Sequence, residues 1–203
     1  ALEARIQAFE LAFRMQMEAQ EAFDLSRETQ ATLDAYGDTL HGRQLLLTRR
    51  LVERGVRFIQ VWSGAGQPWD NHDNLEAQHR KLSGDWDRPI GAFLADLKQR
   101  GLLESTLVMW GGEFGRTPVS QGGRDGRDHN PHACTMFFAG GGMQPGIQHG
   151  STDEYGDYAF EDKVHFHDLH ATSFPQIGLY HPKLTSRYAG RDLPRTPAPS
   201  HTP

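Results

Sequence analysis

Four side chains in this chain of 203 residues have the types and spacing of metal ligands. Asp70 and His72 stand two residues apart in Trp69-Asp70-Asn71-His72, Glu113 follows Gly111-Gly112, and His129 closes Gly126-Arg127-Asp128-His129. A carboxylate and an imidazole at the first spacing reach one divalent ion, and oxygen with nitrogen donors suits zinc, manganese or iron. The competing reading of Asp70 to Asn74 is a cap for a helix beginning near Leu75. Eleven histidines are present, and His129, His132, His149, His165, His167, His170 and His181 lie near Asp125, Asp128, Asp153, Glu154, Asp157 and Asp168. That density makes metal chemistry a working hypothesis. In Gly111-Gly112-Glu113-Phe114-Gly115-Arg116-Thr117-Pro118 the glycines allow close backbone approach, while Glu113 offers an anionic ligand and Arg116 a two-pronged oxyanion clamp. A tight turn with a surface Glu113–Arg116 ion pair accounts for the same residues equally well.

Nucleophilic chemistry has weaker support. Ser63, Thr117 and Ser120 lack the Gly-x-Ser-x-Gly setting of a nucleophile elbow, and Gly64-Ala65-Gly66 is followed by no Lys-Ser or Lys-Thr pair of a phosphate loop. Cys134, the one cysteine, sits in an apolar run and reads as a buried thiol that leaves no internal disulfide. His165 and His167 read as the opening of a helix around Asp168, with at best a supporting role.

The elements that must position these residues follow from periodicity. Ile6, Phe9, Phe13 and Met17 recur every three or four residues and predict an amphipathic helix from Leu2 to about Gln20. The polar stretch from Asp24 to Gly37 reads as a loop with a helical turn. A second helix is expected from about Gly42 to Arg54, stopped by Gly55, and a third from Leu75 to Arg100 with a kink or break near Arg88 caused by Pro89. Val56–Trp62, Thr106–Trp110 and Ala133–Ala139 are apolar runs of strand length, and His167 to Ile177 is helical again. Helix-strand alternation predicts an α/β fold in three layers, α/β/α, on a mostly parallel sheet, the first two strands adjacent and parallel. In such a sheet the loops after the strands meet at one edge, which would gather Asp70, His72, Glu113 and His129 with Arg116 at the rim. The globular part is expected to span residues 1–193, with 194–203 an extended or disordered tail.

Composition narrows the partners. The 21 Lys and Arg against 26 Asp and Glu give a formal net charge of −5, which does not suggest a nucleic-acid binder. No run approaches the roughly 20 apolar residues of a membrane span, and the start lacks signal-peptide patterning.

The segments Phe9 to Gln16, Trp69-Asp70-Asn71-His72, Gly112-Glu113-Phe114-Gly115-Arg116-Thr117-Pro118, Gly126-Arg127-Asp128-His129, Ala139-Gly140-Gly141-Gly142 and His167 to Thr172 together resemble the bacterial domain of unknown function 1501. That family is similar in fold to sulfatases and alkaline phosphatases, so the resemblance implies an incomplete fold of that type. It also implies a metal-dependent hydrolase of sulfate or phosphate esters acting on a small anionic ester, with zinc, manganese or calcium as the divalent ion. Asp70, His72, Glu113 and His129 would be its ligands and Arg116 the catalytic cation. Phe114 departs from the His expected beside the second carboxylate, and nothing here resembles the nucleophile. The resemblance therefore implies the C-terminal portion of a longer protein with about 150 to 250 residues upstream, a size set by domain-length priors. The isolated chain would be inactive, and a periplasmic or secreted origin is implied. The alternative is a non-catalytic metal-binding or structural module that keeps the fold.

Overall fold

A computed structural model describes residues 2–121, 125–180, 183–188 and 191–194. The chain divides into two units, residues 1–70 with 76–102, and residues 71–75 with 103–203. Among the described residues no helix is long and apolar enough to cross a membrane.

The first unit is helical: α1 (Leu2–Phe23), a 3-10 turn (Leu25–Arg27), α2 (Gln30–Tyr36), α3 (Leu40–Glu53) and α4 (Leu75–Gln99). Threonines start two of these helices. Thr29 Oγ1 accepts the Thr32 N–H at 3.2 Å and Thr39 Oγ1 accepts the Gly42 N–H at 3.0 Å, each satisfying a donor the helix cannot use. Gly55, at φ 77°, follows α3 in the left-handed conformation that the sequence suggests. The core is small, formed by Tyr36, Leu45, Leu46, Trp86, Phe93 and Leu97. A buried charge network supplements it. Arg49, 2% exposed, reaches Glu28 at 2.6 Å, Glu53 at 2.7 Å and Asp96 at 3.0 Å. Arg50 pairs with Glu28 and donates to the carbonyls of Ala22 and Glu21. These bonds pair the two guanidinium groups in a site where unpaired cations would be costly.

Of the kink or break expected near Arg88, the break is absent: helix α4 continues through Pro89, which is buried, and the packing of Trp86, Phe93 and Leu97 along the same helix outweighs a penalty of about 3 kcal/mol for interior proline. One strand expectation fails. Val56–Trp62 forms no strand, and Phe58 and Trp62 are 79% and 69% exposed. A β-branched run favours a pleated, half-covered surface, and with no ladder partner among the described residues its preference for strand is unexpressed. The predicted α1 is present, yet Ile6, Phe9 and Phe13 on its apolar stripe are exposed.

The second unit is built from short hairpin-like pairs: β1 (Val108–Trp110), β2 (Gly115–Ser120), β3 (Arg127–Asn130), β4 (Phe137–Ala139), β5 (Ser151–Thr152), β6 (Ala159–Glu161), α5 (Phe166–Gln176), β7 (Thr185–Tyr188) and β8 (Arg191–Pro194). β1 pairs with β4, β2 with β3, β5 with β6 and β7 with β8, all antiparallel. The chain is thus mixed α and β as expected. The parallel pairing is corrected: each ladder among the described residues joins segments whose connection folds back within the unit, so they meet antiparallel. Two predicted strands survive in shortened form as β1 and β4, Val108 opposite Ala139 and Trp110 opposite Phe137. The stretch Gly111 to Pro131, which reads as a glycine-rich loop, contains the β2–β3 hairpin. Cys134 is exposed rather than buried, since Ala133–Met136 precedes the ladder. Pro194, expected to begin the tail, pairs with Thr185 in β8, while residues 195–203 and His181 lie outside the described residues. Helix α5 opens as predicted at the histidine pair: His165 Nδ1 accepts the His167 N–H at 3.2 Å, and Asp168 Oδ2 accepts the His165 N–H at 3.0 Å.

Candidate metal centre

The β2–β3 hairpin positions one histidine of the candidate site. In its ladder Gly115 opposes Asn130 and Arg116 opposes His129, with a register shift beyond Arg116. Gly115 is required by close packing, because a Cβ there would stand 2.0 Å from the Ala133 carbonyl oxygen. Asn130, 2% exposed, anchors the end of β3: its Nδ2 donates to the Asp157 carbonyl at 2.7 Å and its Oδ1 accepts the His132 N–H at 2.9 Å.

The segment Asn71–Asn74 is strapped to the opposite end of the hairpin. Arg127 N–H donates to the Asn71 carbonyl at 3.3 Å, and Asn74 N–H donates to the Asp125 carboxylate. Gly126 lets this happen, since a Cβ on it would lie 1.9 Å from the His72 carbonyl carbon. Asp70, next to Asn71 in the chain, ends a turn in which its N–H donates to the Gln67 carbonyl at 3.1 Å. The preceding Trp69 is fixed by its indole, which donates to Ser63 Oγ at 2.6 Å, as does Trp86. Ser63 therefore serves as a shared acceptor.

Asp70, His72 and His129 consequently offer one ligand atom each, all within 4.8 Å of one another. Asp70 and His72 are half-buried and His129 is exposed. The imidazole centroids of His72 and His129 are 5.1 Å apart, and the Phe114 ring lies 4.2 Å from that of His129. The Arg116 guanidinium carbon is 5.8 Å from the Phe114 centroid, and Arg116 Nη1 donates to the Arg127 carbonyl at 3.3 Å. Glu113 is exposed and stands outside the three-residue cluster. Of the four residues expected to gather at the carboxyl ends of parallel strands, Asp70, His72 and His129 approach one another, with His129 on an antiparallel hairpin and His72 on the segment strapped to it.

Two imidazoles and one carboxylate fit a divalent ion of borderline character. Ligand atoms about 2.1 Å from a zinc ion stand at most about 4.2 Å apart, so small side-chain rotations would complete the geometry. Calcium fits poorly, because it takes six to eight oxygen donors. Sequence reasoning named these three residues as candidate donors through spacing and residue type. It missed Gln121, whose Oε1 is 2.6 Å from His72 Nδ1, and the buried anchor Asn130. Neither carries a sequence signal, because both contacts depend on where the chain returns. No curated protein and no solved structure matches the chain. The model of the family described as protein of unknown function (DUF1501) matches residues 1–202, so the chain belongs to the DUF1501 family.

Proposed function

We propose that Asp70, His72 and His129 hold one divalent metal ion, zinc or manganese, and that the protein is a metal-dependent hydrolase of sulfate or phosphate esters. The observation that carries the reading is the approach of the three donors to within 4.8 Å. The three-layer, alkaline-phosphatase-like architecture implied by the resemblance is part of the same proposal, for the complete protein. When bound, the ion would supply positive charge to polarise an ester oxygen. The chain's own residues supply the rest. Directly opposed residues of an antiparallel ladder share one face, so Arg116 and His129 belong to the same side of the hairpin, and a guanidinium there suits an anionic ester in two-pronged fashion. Phe114, its ring tilted 31° to that of His129 with the centroids 4.2 Å apart, gives the imidazole an apolar neighbour.

Elemental analysis of the purified protein is expected to give one equivalent of metal per chain, reduced to background in Asp70→Ala and His129→Ala. Aryl sulfates and phosphate mono- and diesters then test turnover by the full-length protein, with Arg116→Ala expected to lower it by about 100-fold or more, as for loss of a charge-stabilising donor. Stoichiometric metal with no hydrolysis of any ester would favour a non-catalytic metal-binding module. Absence of metal would end the proposal.

A further inference from the structure

His72 Nδ1 has two candidate acceptors beside it, and their distances separate them. Gln121 Oε1 lies at 2.6 Å, a short hydrogen bond, whereas Asp128 Oδ1 lies at 3.9 Å and accepts the His129 N–H at 2.8 Å. An amide oxygen only accepts, so the neutral His72 ring carries its proton on Nδ1 and its lone pair on Nε2. We propose that Gln121 is a positioning residue for His72, fixing the tautomer and the ring plane so that Nε2 is the ligand atom. This inference rests on the metal reading above.

The backbone supports it. Gln121 directly follows β2, and its own N–H donates to the Gly126 carbonyl at 3.4 Å. Gly126 is the residue packed against the His72 backbone. The ring and the backbone of His72 are therefore both contacted from one end of the same hairpin. A metal-bound histidine commonly donates its other N–H to such an oxygen, and loss of that partner typically weakens metal binding 10- to 100-fold.

The test compares the full chain with Gln121→Met, which keeps length and loses the acceptor, and Gln121→Glu, which keeps an acceptor at the same reach. In the metal-free proteins, long-range proton–nitrogen NMR above the imidazole titration range reads the His72 tautomer directly. Wild type and Gln121→Glu should show Nδ1–H, and Gln121→Met a mixture of both tautomers. Zinc affinity, measured by competition with a chromophoric chelator, should fall about 10- to 100-fold in Gln121→Met and remain near wild type in Gln121→Glu. An Nε2–H ring in wild type, or unchanged zinc affinity and tautomer in Gln121→Met, would overturn the inference. If wild type binds no zinc, the metal reading fails by that result, and the tautomer measurement still decides whether Gln121 sets the ring.

Discussion

Gly126 shows how little room surrounds the candidate site. A Cβ there would approach the His72 carbonyl carbon to 1.9 Å, its oxygen to 2.1 Å and the Asp73 nitrogen to 2.3 Å, distances that real side chains do not reach. Gly126→Ala is therefore expected to push residues 71–74 off the hairpin and to lower metal affinity by at least about tenfold, the scale seen when ligand support is lost. Isothermal titration with zinc reads this directly, and wild-type affinity would refute it. At this scale the sequence was informative where chemistry is local. Asp70 and His72 are two residues apart, so their types suffice to suggest a shared ion. Glu113 has the same chemistry and a plausible setting, yet it is exposed and outside the cluster, because its direction depends on the turn between β1 and β2.

Helix α4 contains two glycines, Gly84 and Gly91, where an added Cβ meets nothing within 4 Å. Interior helical glycine costs roughly 0.5–1 kcal/mol relative to alanine, so Gly84→Ala and Gly91→Ala should each stabilise the protein by about that amount in urea unfolding. The first unit also depends on Glu28 for joining α3 to the chain that precedes α2. Burial pushes the Glu28 carboxyl up, but hydrogen bonds from Arg49 and Arg50 outweigh it and hold it below its ordinary value of 4.5. A depressed folded-state value gives stability that is present above pH 4.5 and lost as pH falls through the lower folded value. Glu28→Gln should cost about 3–5 kcal/mol at neutral pH, as for breaking a buried pair, and should flatten the loss of stability on acidification. Denaturant midpoints measured on both sides of that window check the sign. Helices were legible in the sequence because their signals lie within one turn: Gly55 stops α3 where expected, and the His165–Asp168 pair opens α5. Strands were less so, since Val56–Trp62 has the right residues but no ladder partner among the described residues.

Taken as a whole, the chain has the mixed α and β content that its residue patterns imply, while the direction of strand pairing was not available from them. Pairing direction is decided by connections, and the connection from Gly111 to Met136 folds back through its own hairpin. The segmentation in two units adds a feature that no local pattern encodes: the chain leaves the first unit after Asp70, contributes five residues to the second, returns through α4, and leaves again after Leu102. Along the gene the candidate donors are separate, Asp70 and His72 before α4 and His129 after it. A recombination event that carried codons 103–203 into another protein would transfer His129, its anchor Asn130 and the hairpin, but neither Asp70 nor His72. Whatever this constellation does, it can be inherited only with the helical segment that lies between its parts, and descendants that lost that segment would keep a hairpin without its chemistry.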